Sequence, residues 1–278
     1  DVSSVAKSYA SPVVYLLLGG FVLALGLQKW ELHRRLALAI LVGVGSRPVA
    51  IVAGFMLASA ILSMWVSNTA TTLMIIPIAL SIAAIVAPEK ENSIDQHRFV
   101  VWLVLGIAYA GSIGGIGTLI GTPPNILMAG YLNETHGIQL DFFSWSIFGL
   151  PIMLTMLPVS WLVLTRVVYR FDLPRNTKAE TEILQAHKAM GSMETGERRM
   201  LAVFLLVVTM WVSRPFLADL LGLSGLNDTA VALAGAIALF VIPSGKGGFL
   251  IDWFFAKQLP WDVLLLYGGG MALAGAIT

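Results

Sequence analysis

Ser63-Met64-Trp65-Val66-Ser67-Asn68-Thr69-Ala70-Thr71-Thr72 is a patch of small hydroxyl and amide side chains inside a long apolar segment. The segment opens after Arg47-Pro48 and runs to Ala87, with no charged residue between Arg47 and Glu89. Polar atoms at membrane depth need partners, so such a patch is either glue between helices or a place where something polar binds.

The surroundings fix the setting. The chain has 278 residues, of which 57% are hydrophobic and 12% charged, and a mean hydropathy of +0.83. Soluble domains carry about 25% charged residues. Several apolar runs reach the roughly 20 residues that a helical crossing needs, and spanning backbone must satisfy its own hydrogen bonds. The fold class is therefore an all-α polytopic membrane protein. A formal charge of +1 with no basic tract gives no footing for nucleic acid. With no cysteines, disulfides and thiolate metal sites are excluded. No charged region precedes the first apolar run, and the chain closes within another, Ala274-Gly275-Ala276-Ile277-Thr278. Both ends read as cuts.

Outward from the patch, residues 1–47 read as a span, 13–30, followed by an amphipathic helix along the membrane surface. Residues 48–87 read as two short spans or one re-entrant hairpin. A polar loop, 88–98, leads to an apolar stretch interrupted by Gly111, Gly114, Gly115, Gly117 and Gly121-Thr122-Pro123-Pro124-Asn125. Its first piece, 99–113, would rise about 22 Å, too short for a core of about 30 Å, so a broken helix is expected. A span at 142–165 completes the second block, 48–165. A charged connection at 166–199, spans within 200–263 and a truncated segment at 264–278 follow.

Lys and Arg concentrate after 30, around 89–98, across 166–199 and at 246–257, whereas 133–141 has none. The first span is thus expected to run outside to inside, with 133–141 facing out. Leu16-Leu17-Leu18-Gly19-Gly20 with Gly26 matches Leu265-Leu266-Tyr267-Gly268-Gly269 with Gly275 at a constant offset of 249 residues. The two copies are five crossings apart and so point oppositely. An inverted repeat of this kind is the architecture of secondary transporters.

Ser67-Asn68-Thr69 reads as a helix cap, since such side chains accept from the first free N–H groups. The helix is expected over 71–87, kinked at Pro77. A helix N-terminus inside the membrane favours an anion. Ser63 and Ser67, four residues apart, would share a helical face and with the Asn68 amide offer neutral oxygens to an alkali cation. Thr122 with Pro123 is a second helix start, after a glycine-rich stretch where backbone can unwind. The competing readings are interhelical glue for the first and a packing kink for the second. No Asp, Glu, Lys, Arg or His lies within 48–88 or 99–133, which disfavours proton coupling there. No nucleophile–base pair or metal-ligand cluster supports an enzyme. His33, His97, His136 and His187 fall in polar connections and read as solvated.

Ser67-Asn68-Thr69, Gly114-Gly115-Ile116-Gly117-Thr118 and Gly121-Thr122-Pro123-Pro124-Asn125, with Leu266-Tyr267-Gly268-Gly269-Gly270, resemble the divalent anion/sodium symporter family. The resemblance implies sodium-coupled symport of a small dianion, a C4-dicarboxylate such as succinate, by an elevator mechanism. It implies a homodimer in the bacterial inner (plasma) membrane, with two Ser-Asn-Thr tips facing each other and a sodium ion beside each. By position, Ser67, Asn68, Thr69, Thr122 and Pro123 would contact substrate, and Ser63, Ser67, Asn68 and Gly121 would hold the first sodium ion. The second tip is expected about 249 residues after Asn68, beyond Thr278. Sodium-independent exchange, an anion channel and a non-transporting scaffold are the alternatives.

Overall fold

A computed structural model describes residues 2–45, 47–86, 93–168, 177–221 and 227–277 of the protein. The apolar runs become helices. In chain order these are α1 (Val2–Tyr9), α2 (Pro12–Lys29), α3 (Leu32–Val44), α4 (Pro48–Ser63) and α5 (Asn68–Val86). Next come α6 (Ser93–Ile116), α7 (Pro123–His136), α8 (Phe142–Leu162), which continues as a π-helical turn at Val163–Val168, and α9 (Thr177–Ala189). The last are α10 (Thr195–Leu221), α11 (Asp228–Val241), α12 (Trp253–Ala256) and α13 (Trp261–Ile277). Among the described residues the one β-bridge joins Pro243 to Phe249. Among the described residues five stretches are long and apolar enough to cross a membrane: Val5–Lys29, Asn68–Val86, His97–Ile116, Phe142–Val168 and Thr195–Leu217. Three of the helices, α2, α4 and α7, open on a proline, whose missing N–H costs nothing at the first helical position.

The helices group into two compact units. One holds Asp1–Glu31, Pro123–Ile147 and Glu194–Thr278. In it α2 lies so close to α11 that a Cβ on Gly19 would sit 2.7 Å from that of Ala232. Such small-residue contacts suit a bilayer, where packing rather than exclusion from water drives association. The end of α2 is pinned: Trp30 Nε1 donates to the Leu250 carbonyl at 3.0 Å, and Lys29 Nζ meets Asp252 Oδ2 at 2.9 Å. The hydrogen bond from Lys29 holds the Asp252 carboxyl below its ordinary range, helped by the Phe255 N–H. A second clasp joins three segments. Arg214 Nε meets Asp228 Oδ1 at 2.7 Å, and the same guanidinium pairs with Asp141. Asp228 Oδ2 accepts from the Phe142 N–H at 2.6 Å, and its carbonyl accepts from Trp211 Nε1 at 3.0 Å.

The other unit holds Leu32–Thr122 and Phe148–Met193. Its core interleaves Ile51, Val52, Phe55 and Met56 of α4 with Phe99, Trp102 and Leu103 of α6, all at most 1% exposed. Leu38 and Leu41 of α3 and Ala179 and Ile183 of α9 extend that core. Arg35 ties the two helices by donating to the carbonyls of Gly191 and Met190 at 2.8 and 3.2 Å. A cation suits that place, where a helix ends with unpaired carbonyls.

Several expectations shift. Residues 48–86 form two helices joined by a four-residue turn, 64–67. The second begins at Asn68, three residues earlier than expected, because Ser67 caps it. Helix α6 does not break at 113. It runs 24 residues to Ile116, about 36 Å at 1.5 Å per residue, and the break falls at 117–122. Close packing keeps Gly111, Gly114 and Gly115 helical against a propensity cost of about 1 kcal/mol each. The polar loop is helical from Ser93, and 87–92 lies outside the described residues. The span expected at 200–217 extends over 195–221. By contacts the chain divides after 31, 122, 147 and 193. The reason is packing: α3 and α9 lie on the α4–α6 core, so neither belongs with the first span.

Candidate functional site: the hairpin tip and the break in α6

The site is built where α4 ends. Its last turn closes with the Met64 N–H on the Ala60 carbonyl (3.2 Å) and the Val66 N–H on the Leu62 carbonyl (2.9 Å). The chain reverses, and Ser67 starts α5: its Oγ accepts from the Ala70 N–H at 3.3 Å and its carbonyl from the Thr71 N–H at 2.9 Å. Ser67 is therefore the N-cap. The N–H groups of Asn68 and Thr69, the first two of the helix, meet no acceptor among the described residues, and Thr69 is exposed. That end offers two donors and the positive pole of a 19-residue helix.

One expectation fails. Ser63 and Ser67 do not share a helical face, because α4 stops at Ser63 and Ser67 belongs to the next helix. The turn instead brings Ser63 to Asn68, whose Oδ1 accepts from the Ser63 Oγ at 2.5 Å. Ser63 is fully buried and Asn68 half-buried, so two neutral oxygens sit side by side behind the tip.

The break in α6 closes over them. Thr118 Oγ1 donates to the Met64 carbonyl, fastening the segment after α6 to the end of α4. The Gly117 N–H bonds the Gly114 carbonyl at 2.9 Å, and the Gly121 N–H bonds the Thr118 carbonyl at 3.3 Å. A Cβ on Gly114 would lie 2.2 Å from the Ala60 carbonyl oxygen, and one on Gly115 only 2.7 Å from Asn68 Oδ1. Glycine is thus required at 114, where backbone meets backbone, while at 115 a side chain would push on the Asn68 amide. Buried Gly121 lies against the carbonyl of Gly115. Ser63, Ser67, Asn68, Thr69, Gly121 and half-buried Thr122 all belong to this compact unit. Pro123 starts α7, as its cap-and-proline signature predicts, and is the first residue of the other unit.

Three further side chains contribute, Thr71 and Thr72 from the quoted patch and Ser59, which the sequence reading missed. Thr71 is 0% exposed and its Oγ1 has no hydrogen-bond partner among the described residues, an orphan hydroxyl one turn behind the tip. Thr72 Oγ1 donates to the Asn68 carbonyl at 2.8 Å, and buried Ser59 Oγ donates to the Ile107 carbonyl at 2.8 Å, tying α4 to α6. The i, i+4 spacing of Ser59 and Ser63 was the available signal. Two histidines differ from expectation: His97 and His136 are exposed, but His33 is partly buried and His187 keeps a buried Nδ1 with no partner among the described residues. Both lie on helices packed against a core, which their polar neighbours in sequence concealed.

A helical hairpin whose tip is fastened onto the glycine break of a neighbouring helix, within a set of membrane-length helices, defines an integral, all-α polytopic membrane protein. Residues 1–278 match the family described as the sodium:sulfate symporter transmembrane region, and the chain belongs to it. The chain is 40% identical over 281 residues to the sodium-dependent dicarboxylate transporter SdcS of Staphylococcus aureus strain USA300, covering 99% of this chain and 54% of that protein. The SdcS proteins of strains bovine RF122 / ET3-1 and MSSA476 match at the same identity and coverage. The chain thus spans about half the length of the curated relatives it matches. Its family is one of transporters, not enzymes.

Proposed function

We propose that this chain is part of a sodium-coupled symporter that carries a small dianion, a C4-dicarboxylate such as succinate, across a bacterial plasma membrane. The observation that carries the reading is the double role of Asn68. Its backbone N–H and that of Thr69 open α5 as an anion site, while its side-chain oxygen adjoins the Ser63 hydroxyl. One residue thereby faces a carboxylate on one side and a cation on the other. The name of the SdcS relatives supports both ligands.

In this reading Ser67, Asn68, Thr69, Thr122 and Pro123 contact the substrate, Pro123 entering by chain adjacency to Thr122 alone. Ser63, Ser67, Asn68 and Gly121 hold the sodium ion. All are neutral, which fits a hard monovalent cation whose charge then offsets part of the dianion. A bound sodium ion would turn Asn68 Oδ1 from hydrogen-bond acceptor to ligand and stiffen the tip before substrate arrives.

The elevator movement is assigned to the unit that carries the hairpin. Each passage between the units has a backbone irregularity at or near it, where a hinge would fall. Glu31 has φ +49°, and Gly191, two residues before the last passage, has φ +62°. The break at 117–122 ends at the second passage, and Pro151, four residues past Ile147, removes a hydrogen bond from α8. Assembly as a homodimer and an inverted second tip complete the proposal.

The test is uptake of labelled succinate by the intact protein in proteoliposomes. Symport predicts accumulation driven by an inward sodium gradient and blocked in choline buffer. Equal uptake without sodium would overturn the coupling, and counterflow that persists there would establish exchange. Competition by excess sulfate but not malate would displace the dicarboxylate assignment.

A further inference from the structure

The hairpin unit carries a cleft of about 420 Å³ that the transport reading leaves unused. It falls within the roughly 300–1,000 Å³ of small-molecule sites. Its floor is α5: Ile78, Ile82 and Ile85, spaced to form one helical face, with Pro77 and Ser81 beside them. Its mouth is built from the two amphipathic helices, with His33 and Arg34 from α3 and Glu182 from α9. Arg34 and Glu182 are exposed, and His33 is partly buried. A cleft floored by an apolar membrane-length helix and rimmed by two amphipathic ones combines the two environments that meet at a bilayer surface.

The lining selects its occupant. The lining carries one guanidinium, one imidazole and one carboxylate, and apart from Ser81 the rest of it is apolar. We propose that this cleft binds a zwitterionic phospholipid with a primary ammonium, of the phosphatidylethanolamine type. Its phosphate lies toward Arg34 and His33, its ammonium donates to Glu182, and an acyl chain runs along Ile78, Ile82 and Ile85. An anionic headgroup with no ammonium leaves Glu182 against like charge. A choline headgroup has no N–H to donate. A soluble anion leaves the isoleucine wall uncovered. Because the same helix begins at Asn68, a lipid seated along its far half braces the helix that presents the tip.

The experiment is native mass spectrometry of the delipidated intact protein titrated with phosphatidylethanolamine, phosphatidylglycerol or phosphatidylcholine. The expected result is one tightly retained phosphatidylethanolamine per chain, preferred several-fold over the other two. Glu182→Gln, an isosteric change at an exposed position, should erase the preference over phosphatidylglycerol. Arg34→Ala should weaken retention of every phospholipid about tenfold, and Ile78→Trp should fill the cleft and abolish it. Wild-type protein that retains phosphatidylglycerol as strongly as phosphatidylethanolamine would overturn the proposal. So would an unchanged preference in Glu182→Gln, which does not depend on how the bulky variant folds.

Discussion

The Ser63 hydroxyl donates to the Asn68 amide oxygen at 2.5 Å across the turn between α4 and α5, so the end of one helix and the start of the next share one hydrogen bond. In the sodium reading both oxygens turn to the cation. Asn68→Ala removes one ligand and an orienting amide. A hydrogen bond to a charged partner contributes about 1.5–3 kcal/mol, so the half-saturating sodium concentration of the intact protein should rise at least tenfold. Ser63→Ala should produce a smaller rise of the same kind, because it removes a ligand but also the hydrogen bond that competes for Asn68 Oδ1. Unchanged sodium dependence of succinate uptake in both variants would remove the assignment.

Two adjacent glycines separate a site effect from a fold effect. Gly115→Ala places a Cβ 2.7 Å from Asn68 Oδ1, and a side-chain amide can rotate away. The protein should therefore fold with near-normal thermal stability and lose sodium affinity. Gly114→Ala places its Cβ 2.2 Å from the Ala60 carbonyl oxygen, which belongs to helix backbone and cannot yield. That variant should unfold several degrees lower, with cost in the range of about 1–3 kcal/mol for overpacking. Equal melting temperatures for the two, followed by fluorescence-detected thermal unfolding, would contradict the packing described.

Much of this arrangement was legible in the sequence. Composition and run length gave the helical membrane class, and the pairing of Thr122 with Pro123 located the start of α7. What sequence could not weigh was contact across helices. Gly111, Gly114 and Gly115 are poor helix formers, so the break was placed among them. In the fold they stay helical, since α4 lies against Gly114 at a distance only glycine allows. Ser63 and Ser67 looked coaxial because spacing is all that a sequence shows, whereas the turn at 64–67 splits them between two helices. Arg214 carried no sign of its partners, because Asp141 and Asp228 lie 73 and 14 residues away along the chain.

That arginine joins the helices of its unit. Its side chain is 17% exposed and that of Asp228 8%, and removing one partner of a buried pair costs about 3–5 kcal/mol because the other charge is stranded. Arg214→Met should lower the unfolding temperature markedly, more than Asp141→Asn, whose carboxylate is 29% exposed. The sodium dependence of whatever protein survives should stay normal, since the clasp lies outside the unit that carries the tip. A melting temperature unchanged in Arg214→Met would show the clasp to be inert.

Thr71 discriminates between a ligand site and a packed polar patch. Its hydroxyl is buried with no partner among the described residues, and an unsatisfied buried group costs about 1–3 kcal/mol. Valine has nearly the same shape and no such group. If the hydroxyl serves nothing, Thr71→Val should raise the thermal stability of the protein. If it waits for an ion or an ordered water at the tip, the variant should be more stable without sodium yet gain less stability when sodium is added. The second pattern is expected, because the orphan atom lies one helical turn from the Ser67 cap, where the other neutral oxygens gather. A melting curve for Thr71→Val that rises with sodium as steeply as that of the unaltered protein would leave the hydroxyl without a role, and sodium binding would then rest on Ser63, Ser67, Asn68 and Gly121 alone.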